Sequence, residues 1–337
     1  MAAYVPPSER SDTFALDGAW QQHYDEEGYV IIKDLLPAAT LAEAQAGCEV
    51  LVEEFAERLV AKGSLASQKT CKESAFDRRL MDMTKECPGE LPNLFRAELH
   101  RKEFFPLFCD PTLLSCVQKL LPADTIRIYP NYSCRPKTPS EVHAVVWHQD
   151  AGLRSDGGPS TAPVAERLEA FGIGKVVNVW TPLVPARVAN GCMKVVPKSH
   201  SLGILEHKLK ATYSMGSGGL DGKEIPKTID GFDASQDTKV PVGTYMTAIN
   251  DEDMAKVEHL AVDVELDPGS VLLFNNILVH RGGVNSADTI RWSFDFRFQD
   301  ASKSTCRDWN GHIVKGPPDA QNVVRSADEW AKLSLAS

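Results

Sequence analysis

The sequence of 337 residues has no run of 18 uninterrupted apolar residues, so no membrane-crossing helix is expected. It has no C-x-x-C pair. Its eight cysteines, Cys48, Cys71, Cys87, Cys109, Cys116, Cys134, Cys192 and Cys306, are irregularly spaced, and free thiols in a reducing cytosol are the economical reading. The opening residues, Met1-Ala2-Ala3-Tyr4-Val5-Pro6-Pro7, show no basic start followed by an apolar run, so no secretory signal is expected and a cytoplasmic location follows. Positive charge is in deficit, with 36 Lys and Arg against 46 Asp and Glu and a net charge of −10. With no evident Lys/Arg cluster, that balance argues against nucleic acid or an anionic membrane as the main partner. Repeats and low-complexity tracts are missing too.

What is present is ordinary for a globular protein: 43% hydrophobic and 24% charged residues, which excludes a disordered or fibrous chain. A chain of this size buries roughly 75% of its unfolded surface and needs no covalent staples. Residues 1–18 read as a loose arm. Residues 19–337 read as a single domain, with a helical layer over about 19–120, a β core over about 125–300 and a C-terminal extension from 301 to 337.

Trp20, Tyr24 and Asp25 precede Gly28-Tyr29-Val30-Ile31-Ile32, a helix running into a strand. Residues 40–62 form the clearest helix, with Thr40 placed to cap it and Leu41, Ala44, Cys48, Leu51 and Phe55 at helical spacing. A second helix is predicted from Leu91 to Phe108 and a short third from Pro111 to Leu120. After Leu121 the texture changes to short β-branched and aromatic segments between turn residues: Thr125–Tyr129, Ala144–His148, Lys175–Trp180, Met193–Val196, Ala261–Leu266, Val271–Phe274, Ile277–His280 and Thr289–Phe298. Helices first and strands afterwards predict a mainly β fold with flanking helices, a helical layer on a barrel or sandwich. Two long loops, 151–174 and 201–243, are expected to act as lids.

The chemistry centres on His148-Gln149-Asp150. On an extended strand the outer two residues point to the same face, and an imidazole with a carboxylate is two thirds of a 2-His-1-carboxylate set for non-haem iron(II). His280 stands at the end of a second predicted strand, after the turn signature Asp267-Pro268-Gly269-Ser270. Eleven residues on, Arg291 opens a strictly alternating strand. Trp292, Phe294, Phe296 and Phe298 form one face, and Arg291, Ser293, Asp295 and Arg297 the other. Taken alone, that polar face reads as solvent-facing; beside a metal it can instead line a wet cavity inside a barrel, where Arg291 can grip a carboxylate with two parallel hydrogen bonds.

These features, with Asn178-Val179-Trp180-Thr181-Pro182-Leu183, Asn190-Gly191-Cys192-Met193 and Val196-Pro197-Lys198-Ser199-His200 between them, resemble the phytanoyl-CoA dioxygenase (PhyH) family of iron(II)/2-oxoglutarate oxygenases over about residues 20–300. The resemblance implies a double-stranded β-helix, a jelly-roll or cupin-like core of eight strands in two facing sheets. It implies His148, Asp150 and His280 as iron ligands, Arg291 on the distal carboxylate of 2-oxoglutarate, Trp180 along the cosubstrate, and Asn131 or Ser133 at a further contact. Many members carry a Ser two residues after the distal His. Here Gly282 stands there, and Ser293, Thr181 or water is expected to substitute. Fe(II), 2-oxoglutarate and O2 are the expected cofactors and a small molecule the substrate. The reaction implied is oxidation of a C–H bond by hydroxylation, desaturation or cyclisation, with release of succinate and CO2, as in secondary metabolism. The alternatives are a non-catalytic metal- or ligand-binding barrel of the same fold and, more weakly, a metal-dependent hydrolase. Other candidates have plain readings: His143, His200, His207 and His259 as structural or surface histidines, Cys192 as a packed small residue, Lys208-Leu209-Lys210 as a solvated loop, and Arg135 and Lys137 as either solubilising charges or contacts to an anionic substrate.

Overall fold

A computed structural model describes residues 10–87, 90, 92–139, 145–152, 163–211, 228–229, 232–233, 245–306 and 310–333. Its strands are β1 (Thr13–Phe14), β2 (Tyr29–Ile32), β3 (Ile126–Ile128), β4 (Ser133–Lys137), β5 (Val176–Pro182), β6 (Met193–Val195), β7 (His207–Ala211), β8 (Thr228–Ile229), β9 (Phe232–Asp233), β10 (Tyr245–Ile249), β11 (Val262–Val264), β12 (Val271–Asn275), β13 (His280–Gly282), β14 (Arg291–Asp300) and β15 (His312–Lys315). Its α-helices are α1 (Trp20–Glu27), α2 (Ala38–Lys62), α3 (Phe76–Thr84), α4 (Phe105–Phe108), α5 (Pro111–Leu120), α6 (Val164–Phe171), α7 (Asp251–Val257) and α8 (Ala327–Trp330).

The long alternating strand β14 organises the major sheet. It pairs with β5 from Ser293 to Gln299 on one side, and on the other with β4 over Arg291–Asp295 and β3 over Phe298–Asp300. The full order is β1-β2-β12-β5-β14-β3-β15, with β4 alongside β14. A minor sheet, β11-β6-β13, faces it. Tyr29, Ile31, Trp180, Leu272 and Phe274 of the major sheet meet Val195, Val264, Leu266 and Leu278 in one apolar cluster. This is the expected pair of facing sheets, cupin-like and not closed into a barrel.

The other side of the major sheet carries the helical layer. Val177 and Val179 of β5 and the four aromatics of β14 pack with Leu51 and Phe55 of α2, Phe108 of α4 and Leu113 of α5. The period-2 apolar face of β14 and the 3.6-period face of α2 therefore bury each other. Among the described residues no helix is long and apolar enough to cross a membrane.

Several expectations change. Thr40 does not cap α2: Pro37 takes that place in extended conformation without a side-chain cap, and Thr40 is buried in the first turn. The helix predicted over 91–108 is two 3-10 turns and the single turn α4, because Arg96 takes φ +44° and Phe95 bridges to Ser133. Helix α3 was not predicted. Its signal is Phe76, Leu80 and Met83 at helical spacing, with Phe76 stacked on Trp292. The segment read as a loose arm supplies β1, which pairs parallel to β2, while residues 1–9 lie outside the described residues. The strand predicted over 277–280 begins only at His280. Asn275 Oδ1 accepts from the Ile277 N–H, which makes the preceding residues a turn. The predicted loop 151–174 contains α6, and the loop 201–243 contains β7, paired antiparallel with β10. Lys208-Leu209-Lys210 is thus strand, not loop. Residues 153–162 and most of 212–244, where lids were expected, lie outside the described residues, as do His143 and Ala144.

Candidate functional site

His148 and His280 form a reciprocal antiparallel bridge. The His148 N–H donates to the His280 carbonyl and the His280 N–H to the His148 carbonyl, both at 3.0 Å. A hydrogen-bonded pair of this kind sets the two side chains on one side, and the rings lie 4.2 Å apart. Each imidazole Nδ1 is bonded to the carbonyl two residues upstream, Val146 at 2.8 Å and Leu278 at 2.9 Å. A carbonyl only accepts, so Nδ1 carries the proton and Nε2 keeps its lone pair. Burial, then the neighbouring imidazole of His280, pushes the pKa of His148 down to about 4, and burial lowers that of His280. Both rings are therefore neutral, as metal ligation requires.

The expectation that His148 and Asp150 share the face of one strand is corrected. The strand expected over 144–148 is reduced, among its described residues, to an isolated bridge at His148, and Asp150 opens a 3-10 turn, Asp150–Gly152. The groups still converge: His148 Nε2 lies 3.7 Å from Asp150 Oδ1, and the ligand atoms of His148, Asp150 and His280 all lie within 4.8 Å of one another.

Gln149 holds this turn. It is fully buried; its Nε2 donates to the carbonyls of Gly203 and Ile277, and its Oε1 accepts from Leu205 N–H. One side chain thereby ties the segment bearing two candidate ligands to the approach to the third. The Gln149 N–H donates to His207 Nε2 at 3.0 Å. Gly152 lies flat against that ring, where a Cβ would sit 2.2 Å from His207 Cε1. His207 is thus structural, as expected, but it is structural for the candidate metal centre. His200 is buried, with Nε2 bonded to the Asp25 carbonyl, and His259 is exposed. Cys192 is a packed apolar residue.

Asp150 uses its oxygens unequally. Oδ2 accepts from Arg297 Nε at 2.9 Å, Arg297 Nη2 at 2.7 Å and Asn178 Nδ2 at 2.8 Å. Burial, the largest single influence, pushes this carboxyl's pKa up, but the Arg297 guanidinium, the two neighbouring imidazoles and the hydrogen bonds from Arg297 together hold the group below the usual carboxylate range. Two neutral imidazole nitrogens and one carboxylate oxygen on a single side fit a divalent metal of the iron(II) type.

The inner wall beside this cluster is polar and follows the strand register. Arg291 stands opposite Lys137, Ser293 between Arg135 and Pro182, Asp295 between Ser133 and Trp180, and Arg297 opposite Asn178. The buried Arg291 guanidinium lies 5.1 Å above the Trp180 ring, and its Nη1 donates to the Gly191 carbonyl at 3.0 Å. Gly191 turns at φ +76°, and a Cβ there would meet Gly283 O and Lys137 Cε at 2.7 Å. The Asn-Gly turn is therefore what brings that carbonyl under Arg291. Arg291 Nε, Ser293 Oγ and Ser133 Oγ are buried and have no hydrogen-bond partner among the described residues. Burial, followed by Arg291 and other cations, lowers the Lys137 pKa to about 7. A Cβ on Gly282 would find ordinary contacts and lie 3.8 Å from Lys137 Nζ.

Of the expected cosubstrate residues, Arg291, Trp180 and Ser293 line this wall. Asn131 joins through its carbonyl, which accepts from Arg297 Nη1. Thr181 does not. It stands opposite Phe294, on the helical side of the sheet, and its hydroxyl donates to the Ser270 carbonyl. Arg297 and Asn178 had no assigned role. The signal for Arg297 was its place on the polar face of β14, and for Asn178 that it is an amide set among Val176, Val177, Val179 and Trp180.

The family model for phytanoyl-CoA dioxygenase (PhyH) matches residues 24–293. Among solved structures, the chain is similar in fold to EctD from S. alaskensis, crystallised with 2-oxoglutarate and 5-hydroxyectoine. Identity is 18%, 93% of this chain and 89% of that one are covered, and the TM-score is 0.52. It is similar too to the apo form of ThoJ, described as a non-heme monooxygenase, at 19% identity over 90% of this chain and 85% of that one, with a TM-score of 0.50.

Proposed function

The chain belongs to the phytanoyl-CoA dioxygenase family of iron(II)/2-oxoglutarate oxygenases, and from that premise we propose that it oxidises a C–H bond of a small organic substrate with release of succinate and CO2. In this reading His148 Nε2, Asp150 Oδ1 and His280 Nε2 hold the iron, and Arg291 holds the far carboxylate of 2-oxoglutarate. The observation that carries it is the reciprocal His148–His280 bridge with Asp150 beside it. Iron(II), when bound, supplies the O2 chemistry that converts 2-oxoglutarate to succinate and oxidises the substrate.

The protein's own part is placement. The two Nδ1–H donors hold the imidazoles in the ligating tautomer. Arg291 offers a planar fork from a buried wall, and the Trp180 face beneath it sets the plane. Ser293, two residues along the same face, supplies the hydroxyl that many relatives carry two residues after the distal His. Hydroxylation, desaturation and ring closure share the first step, loss of a substrate hydrogen, and the pose of the substrate separates them.

The test is succinate release by purified protein with Fe(II), O2 and 2-oxoglutarate, together with untargeted metabolite turnover. Asp150→Ala and His280→Ala should abolish both while the fold persists. Full succinate release by Asp150→Ala would overturn the reading.

A further inference from the structure

We infer that Arg297 and Asn178 are positioning residues of the metal centre: together they saturate Asp150 Oδ2, so that the carboxylate offers the metal one oxygen, Oδ1, and no more. The inference rests on the reading that His148, Asp150 and His280 bind a divalent metal.

The hydrogen-bond pattern separates this from an ordinary buried ion pair. A guanidinium that merely neutralises a carboxylate meets it fork to fork, one nitrogen per oxygen. Here Nε and Nη2 of Arg297 both donate to the same oxygen, at 2.9 and 2.7 Å, and Asn178 Nδ2 adds a third donor at 2.8 Å. A carboxylate oxygen has about two lone-pair sites, so Oδ2 is filled. Oδ1 is left facing His148 Nε2.

The donors are themselves fixed. Arg297 and Asn178 occupy one rung of the β14–β5 ladder, and both are buried, at 3% and 0% exposure. Arg297 Nη1 donates to the Asn131 carbonyl at 3.2 Å and lies 2.9 Å from Asp295 Oδ1. Asp295 in turn accepts from Arg135 Nε at 3.1 Å. The second carboxylate thus keeps Arg297 from swinging toward Oδ1. A carboxylate that turned both oxygens to the metal would occupy one of the positions that the cosubstrate and O2 require. The clamp keeps that position open.

The probe is Co(II), titrated into purified protein, with binding followed by its absorption bands, which report coordination number. Asn178→Ala and Arg297→Gln should each weaken Co(II) binding by about 10- to 100-fold and alter the bands. Arg297→Lys should recover only part of the loss, because an ammonium cannot set two donors on one oxygen while reaching Asp295. In an Asp150→Ala background, adding Arg297→Gln should cost nothing further. If Arg297→Gln does not fold, Asn178→Ala, which changes no charge, gives the same reading alone. Co(II) affinity within about twofold of wild type and unchanged bands in the folded variants would overturn the inference. So would an equal loss from Arg297→Gln with and without Asp150. Unaffected Co(II) binding by Asp150→Ala itself would instead overturn the metal-site reading.

Discussion

On one face of β14, Trp292, Phe294, Phe296 and Phe298 are fully buried against the helical layer. On the other, Arg291, Ser293 and Arg297 are buried almost as deeply, at 4%, 0% and 3% exposure. The first face needs only shape and apolar area. Phe296, for example, packs edge-on against Phe108 at 5.0 Å. The second needs a partner for every charge, and the partners are gathered from several parts of the fold: Asp150 of the 3-10 turn and Asp295 of the same strand for Arg297, the Gly191 carbonyl of the Asn-Gly turn and the Trp180 ring of β5 for Arg291. Equal burial therefore reflects two different demands, packing on one side and chemistry on the other.

Breaking each face should produce different failures. Phe296→Ala should lose about 3–5 kcal/mol of stability by leaving a cavity, while the surviving folded protein binds metal normally. Denaturant melts with a parallel Co(II) titration check both halves. Arg291→Gln should do the reverse. Losing one partner of a buried charge pair costs on the order of 2–5 kcal/mol of binding, a rise of roughly 30- to several-thousand-fold in the Kd for 2-oxoglutarate. Metal affinity and melting temperature should stay near wild type. Normal 2-oxoglutarate affinity with a lowered melting temperature would remove Arg291 from the site.

The helical side holds a titratable group, His312, whose Nε2 has no hydrogen-bond partner among the described residues. His312 is buried beside His100 and Trp330, and burial, then His100, pushes its pKa from 6.5 down to about 4. The folded state binds this proton less readily than the unfolded state. The stabilisation is complete above about pH 6.5 and is lost as the pH falls towards 4. At 1.36 kcal/mol per pKa unit it amounts to at most about 3 kcal/mol. Stability measured from pH 7 to 4 should fall less steeply in His312→Phe, and an identical slope would place the acid sensitivity elsewhere. The smallest effect belongs to Ser293→Ala. Its hydroxyl is buried with no hydrogen-bond partner among the described residues, so its removal should leave the stability of the cofactor-free protein unchanged or raise it by about 1 kcal/mol. Weaker 2-oxoglutarate binding in the same variant would mark the hydroxyl as a cosubstrate contact.

The alternation of β14 was legible because its period is local, and the spacing around His148, His280 and Arg291 was legible because it forms a family pattern. The sequence by itself determined the two faces of β14 and the residues of α5. It showed no cluster of Lys and Arg, yet the folded protein gathers Arg135, Lys137, Arg291 and Arg297 on one wall. They come from strands over 150 residues apart in the chain, and only the register of β4 on β14 brings them together. Thr181 failed as a candidate for the same reason, since one step along β5 turns a side chain to the other face. Which oxygen of Asp150 remains free was likewise decided only in tertiary structure. It depends on a ladder rung between Asn178 and Arg297 and on a 3-10 turn that swings Asp150 toward it, and neither leaves a local mark in the sequence.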